Sequence, residues 1–314
     1  MKGLELSRAY YERFGADMIH EKFPEYESYL AVGLIGSGSE CLGYDDDISR
    51  DHDFEPGFCI FLPDESLVNS KTEFRLERAY AGLPSEFEGV RRLRVAPVGG
   101  SRHGVIRMSD FLRAKLGTTE LPCTPDDWFR IPEYSLAELC GGQIFRDDLG
   151  ELTSIRSSLA TLPDTVRLKK LAGRLLLMAQ SGQYNYGRCL ARGETGAAQL
   201  AIGEFVDSTM AAVFLLERGY MPYYKWRFRA LRELSPLGEE LAGPLEFLLT
   251  TENTAPMCNT KSEIIEDIAG IIINRLKHDR LTSANCGDLE KHAYSVNDGI
   301  SDADVRNSNI LYAV

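Results

Sequence analysis

A chain of 314 residues is long enough for two ordinary domains or one large one. Its 44% hydrophobic and 26% charged residues make an ordinary globular balance and exclude gross disorder. Asp and Glu outnumber Lys and Arg by 47 to 35, a formal charge of −12, and such a field repels polyanions. Duplex nucleic acid is therefore excluded as the main partner, although a local basic cleft can still hold a nucleotide. The longest uninterrupted apolar runs, Ala211–Leu216 and Ile271–Ile273 with neighbours, are too short to span a bilayer. The N-terminal MKGLELSRAYYERF has no apolar signal-peptide core. These features predict a cytoplasmic chain that makes no use of a membrane. The seven cysteines contain no CxxC pair, which fits reduced thiols and gives no support for structural zinc.

In chain order, Tyr10, Phe14 and Met18 recur every four residues, and the stripe widened by Tyr11 and Ile19 predicts a helix stopped by Pro24. Tyr29–Ile35 is a short apolar run of strand character that breaks into Gly36, Gly38 and Gly43. Phe58–Leu62 is a second strand, entered from Asp51-His52-Asp53-Phe54 and ended by Pro63. Arg92–Val98 and Val105–Met108 are weaker strands joined by a Gly99-Gly100 turn. Residues 117–164, rich in Pro and carrying Gly141-Gly142, read as an irregular domain junction. Beyond it the periodicity is helical. Val166, Leu171, Leu175 and Met178 share one face, and Phe205, Met210, Val213, Phe214 and Leu216 another, the latter helix ending on a left-handed Gly219. Thr260-Lys-Ser-Glu263 has capping-box form and predicts a helix start. Ser295–Val314 reads as a polar, loosely attached tail. The expected class is α+β: a small domain over 1–155 built on a mixed sheet of four to six strands with helices on one side, then a helical domain over 156–314.

Chemistry concentrates in Gly33–Leu62, GLIGSGSECLGYDDDISRDHDFEPGFCIFL. The turn Gly36-Ser37-Gly38, with Ser39 behind it, is small enough to bring N–H groups and hydroxyls against a phosphate. Alternate strand residues point to one face, so Asp51 and Asp53 are expected to converge and His52 to point away. Two hard carboxylates suit Mg²⁺ shared with substrate phosphates. Strand, phosphate turn and paired carboxylates together describe a nucleoside-triphosphate site. The GxGxxG needed for a dinucleotide turn is absent, as is GxxxxGK[ST]. Asp45-Asp46-Asp47 reads as a solvated loop rather than a metal cluster.

The segment resembles the nucleotidyltransferase superfamily of DNA polymerase beta-like fold, whose signature is an apolar residue, Gly-Ser, a spacer, and Asp-x-Asp leading into an apolar strand. Ile35-Gly36-Ser37 matches the first part and Asp51-x-Asp53-Phe54 the second, with 13 residues between Ser37 and Asp51. The phrases GSGSE, SRDHDF, GGQIF-x-D and LLERGYMPYYKW carry a closer similarity, from about residue 25 to about residue 235, to a bacterial family of nucleotidyltransferase-like proteins. The resemblance implies Mg²⁺-dependent transfer of a nucleoside monophosphate, ATP being the favoured donor, to an acceptor hydroxyl. It implies that Gly36 and Ser37 hold the triphosphate and that Asp51 and Asp53 bind the metal and act in catalysis. A third carboxylate often comes from a later strand, and Asp110 is the candidate. His52 departs from the pattern, which usually has an apolar residue between the aspartates.

Four further groups are candidates. Glu133 could act as general base for the acceptor hydroxyl, in a junction where a cleft is expected. Arg50 either touches phosphate or neutralises Asp51. Lys225, in Tyr223-Tyr224-Lys225-Trp226, belongs to a cluster that either stacks on a base or anchors a helix start. Asp147-Asp148 is either cleft or surface charge. The acidic balance favours a small-molecule acceptor. The alternatives are a catalytically silent nucleotide-binding regulator and a nucleotidyltransferase acting on a protein or RNA partner. No Arg-x4-His occurs, so the chain does not also carry the ribonuclease motif of the toxins that accompany the latter.

Overall fold

The computed structural model describes residues 1–48, 54–92 and 103–314. The chain is α+β, and its described residues form two compact units, one of residues 1–121 with 131–160, the other of residues 122–130 with 161–314.

The first unit is built on a four-stranded mixed sheet in the order β5-β2-β1-β6. β1 (Ala31–Leu34) and β2 (Cys59–Leu62) are antiparallel and buried along their whole length, as their continuous apolar sequence requires. β5 (Gly104–Arg107) lies parallel to β2, and β6 (Gln143–Asp147) closes the other side antiparallel to β1. A two-residue ribbon, β3 (Glu86–Phe87) with β4 (Val90–Arg91), stands apart. Of the expected Arg92–Val98 strand, residues 93–98 lie outside the described residues, as does the Gly99-Gly100 turn.

The N-terminal helix runs from α1 (Gly3–Tyr10) through a π turn (Tyr11–Gly15) into α2 (Ala16–Lys22). The wide turn shifts the helical phase, and both Tyr10 and Tyr11 are buried in the core. They meet Phe58 at ring-centroid distances of 6.0 and 5.3 Å. α4 (Ser70–Ala81), capped by Asn69, connects β2 towards β5. Arg107, at the end of β5, bonds Glu73 of α4 at 2.8 and 2.6 Å and the Pro63 carbonyl at 3.0 Å.

The expected irregular stretch 117–164 is corrected by the structure. It contains α6 (Pro125–Arg130), α7 (Glu133–Cys140), β6 and α8 (Glu151–Ser158), following α5 (Met108–Leu116). Its prolines stand at or near helix starts, and its glycine pair makes a tight corner between α7 and β6.

The second unit is helical: α9 (Asp164–Met178), α10 (Gly187–Ala191), α11 (Thr195–Leu216), α12 (Arg227–Leu234), α13 (Pro236–Thr250), α14 (Met257–His278), α15 (Leu289–Asp298) and α16 (Ala303–Asn307). A π segment, Ala179–Tyr186, joins α9 to α10. Among the described residues α11 is the one helix long and apolar enough to cross a membrane, and 67% of its most apolar window is buried inside the protein. Three local expectations are corrected. After α11 the left-handed residue is Arg218, φ 56°, not Gly219, whose N–H reaches the Phe214 carbonyl at 2.9 Å. Thr260–Glu263 lies inside α14, which starts at Met257. The C-terminal tail is packed, with Ile300, Val305 and Ala313 buried. Lys169 of α9 holds it by donating to Asn297 Oδ1 and the Ser308 carbonyl, both at 2.9 Å.

Candidate functional site

Buried β1 delivers the chain into the Gly36-Ser37-Gly38 turn, and a four-residue helix, α3 (Ser39–Leu42), follows it. Gly36 (φ 129°) and Gly38 (φ 140°) adopt conformations that L side chains rarely take, which is why the turn is glycine-rich. Ser37 between them is exposed, and among the described residues nothing lies within 4 Å of a Cβ built on Gly36. The opposite face is closed, since a Cβ on Gly38 would sit 2.5 Å from Glu40 Oε1. Ser39 is half-buried and its hydroxyl lies 3.4 Å from Glu40 Oε2. The side of the turn left for an anion is therefore at exposed Ser37, beside the space that the described residues leave at buried Gly36.

The turn is braced from β6. A Cβ on Gly142 (φ 68°) would stand 1.9 Å from the Leu34 carbonyl oxygen, and the Gly142 N–H donates to the Cys41 carbonyl at 2.7 Å. Leu34 and Cys41 flank the turn, so this corner fixes its two ends. Arg156 of α8 holds the corner by donating Nη2 to the carbonyls of Cys140, Gly141 (2.9 Å) and Gly142 (3.3 Å). Burial lowers the pKa of this guanidinium from its ordinary value.

Arg50, Asp51, His52 and Asp53 lie outside the described residues. The strand expected to be entered from this segment runs from Cys59, and Phe54–Phe58 is not strand. This stretch is nonetheless pinned. The Ser7 hydroxyl donates to the Gly57 carbonyl at 2.5 Å, and the Phe58 N–H to the Tyr80 hydroxyl at 3.0 Å. His103 Nδ1 lies 3.1 Å from Glu55 Oε1, both side chains largely buried, and Gly57 makes room for the imidazole. No sequence signal could have paired residues 48 apart.

Asp45 corrects the solvated-loop expectation. It is buried, and its Oδ2 accepts from the Gly3 N–H at the start of α1 at 2.8 Å, while Lys2 Nζ stands 4.0 Å from Oδ1. A carboxylate there complements the helix dipole. Asp46 and Asp47 are exposed.

The remaining candidates are dispersed. Asp110 lies in the first turn of α5, exposed, and pairs with Arg113 at 2.7 Å. Glu133 begins α7 in the first unit, half-buried. Asp147 Oδ2 accepts from the Thr153 N–H and hydroxyl, both at 2.7 Å, and so starts α8, while Asp148 pairs with Arg146. Lys225 belongs to the second unit, exposed, its ammonium 5.2 Å from the Trp226 ring centroid beside exposed Tyr223 and Tyr224. Among the described residues no group of three His, Cys, Asp or Glu is arranged to hold a metal.

Residues 128–227 match the model of a domain of unknown function (DUF4037). The matched stretch includes the Gly141-Gly142 corner, β6 and Tyr223–Trp226, and excludes Gly33–Leu62. Comparisons with curated proteins and with solved structures gave no match.

Proposed function

We propose that the chain is a Mg²⁺-dependent nucleotidyltransferase that moves a nucleoside monophosphate, from ATP by preference, to a hydroxyl of a small-molecule acceptor. The observation that carries this reading is the β1–turn–α3 unit. A buried strand ends in a glycine-serine turn with an exposed hydroxyl and an open face at Gly36, braced on both flanks. Antiparallel β2 beside it is fed by the chain from Asp51 and Asp53. The assignment of those two carboxylates rests on the sequence pattern, and their hard oxygens suit Mg²⁺ better than the softer metals. Bound there with the triphosphate, Mg²⁺ would stabilise charge developing on the transferred phosphoryl group. Gly36 N–H and the Ser37 hydroxyl would orient the phosphates, and Glu40 would keep them on the open side. The −12 net charge favours a small acceptor over a polyanionic one.

A second reading, a nucleotide-binding regulator without turnover, is favoured by the position of Asp110. It sits on a helix and is paired with Arg113, which makes it a poor third carboxylate. Calorimetric titration of the protein with ATP, with and without Mg²⁺, tests the nucleotide site common to both readings. Saturable, Mg²⁺-dependent binding lost in Ser37→Asp is expected, and no binding at millimolar ATP overturns both.

A further inference from the structure

We infer that Arg156 is the positioning residue of the Gly36-Ser37-Gly38 turn, acting through the Gly141-Gly142 corner. As a nucleotide-site role, this rests on the reading proposed above. Cys140 is the last residue of α7, so its carbonyl is one of those a helix end leaves without an intrahelical partner, and the Gly141 and Gly142 carbonyls follow it in the corner. Arg156 gathers all three on one nitrogen. Among the described residues no carboxylate is bonded to this half-buried guanidinium, so the carbonyls and the C-terminal helix dipole are what balance its charge.

The corner it gathers is in contact with the backbone on each side of the turn. Gly142 abuts the Leu34 carbonyl at the end of β1 and donates to the Cys41 carbonyl in α3. The turn itself contains two glycines with φ above 120°, and such residues lose much conformational freedom when ordered. Without the staple at Leu34 and Cys41, ordering would have to be driven by the ligand, which weakens binding. Arg156 thus preorganises a surface it does not itself form.

Amide hydrogen exchange and ATP titration in Arg156→Gln and Arg156→Lys test the inference. Arg156→Gln keeps a short neutral donor and loses the cation. Exchange is expected to rise at residues 35–42 and 141–143 and to stay unchanged in the β2–β5 pair. Mg²⁺–ATP affinity should fall about ten- to hundredfold. Arg156→Lys, which can place an ammonium among the same carbonyls, should restore most of both. Exchange rising equally across the sheet would show a merely structural cation and overturn the inference, as would unchanged exchange at 35–42. If the parent binds ATP and Arg156→Gln binds it equally well, the inference fails while the nucleotide reading stands. If the parent binds no ATP but exchange rises locally as described, the nucleotide reading fails and the positioning role stands.

Discussion

Replacing Gly142 by Ala gives a matched test of the corner that braces the turn, because Gly150 in the same unit has nearly the same φ, 70° against 68°. Both substitutions place an L residue in the left-handed region, at about 1–2 kcal/mol each, and both stiffen the unfolded chain alike. They differ in space. Among the described residues nothing lies within 4 Å of a Cβ on Gly150, whereas one on Gly142 would lie 1.9 Å from the Leu34 oxygen, 2.9 Å from its carbon and 3.1 Å from Ile35 Cα. All three are backbone atoms of β1 or its exit, so relief requires β6 to move from β1 by roughly 1 Å, in an interior that transmits strain. Overpacking of that kind adds about 1–3 kcal/mol or more. Gly150→Ala should therefore cost about 1 kcal/mol and Gly142→Ala about 2–4 kcal/mol. Both tryptophans, Trp128 and Trp226, lie in the second unit, so far-UV circular dichroism in urea is the suitable probe, read as a midpoint shift at constant slope. Equal midpoint shifts for the two variants would refute the close approach at Leu34.

Three other outcomes are expected. Lys261 is fully buried and among the described residues donates only to neutral acceptors, Asn253 Oδ1 at 2.8 Å and Gln199 Oε1 at 3.4 Å, each of which has a second donor. Burial holds its ammonium below the ordinary lysine value of 10.5. The unfolded chain then binds more protons than the folded one between the lowered folded value and 10.5, so this penalty is full below the folded pKa and disappears as pH rises towards 10.5. Lys261→Met should accordingly be about 1 kcal/mol more stable than the parent at pH 7, with the gap closing in alkaline urea titrations; a pH-independent gap would contradict this. Removing residues 308–314 takes one acceptor from Lys169 and uncovers Gly173, against which Ile310 and Val314 pack. A loss of about 2 kcal/mol or more is expected in thermal unfolding, whereas a loosely attached tail would leave the midpoint unchanged. Asp51→Asn and Asp53→Asn should each abolish Mg²⁺-dependent pyrophosphate release while the proteins still fold, and His52→Ala should cost far less. Full activity in both Asn variants would remove these aspartates from the site.

What could be read in the sequence depended on whether the signal was local. β1 and β2 stand out because buried strands are short apolar runs, and half-buried β5 because Val105 and Ile106 are apolar and β-branched. The N-terminal helix, α9, α11 and α14 stand out because their apolar residues recur at helical spacing. β6 was hidden because Gln143-Ile-Phe-Arg-Asp147 is an edge strand with mostly half-buried residues, and its preceding glycines looked like junction filler. Only the fold shows that Gly142 must lack a Cβ. The tail misled because its composition is polar, while its attachment comes from a lysine more than a hundred residues away. Within the candidate site, the Gly-Ser turn was legible from its residue types. Glu40 over Gly38, the Glu55–His103 pair and the Arg156 staple were not, since each depends on geometry or on partners distant in sequence.

The most direct test of the account is pyrophosphate release by the purified protein with Mg²⁺ and each of the four ribonucleoside triphosphates, over a panel of small hydroxyl-bearing acceptors. Nucleotidyl transfer predicts release that requires Mg²⁺, is fastest with ATP, and disappears in Asp51→Asn. Saturable ATP binding without pyrophosphate release under any of these conditions would contradict it and leave the regulator reading in its place.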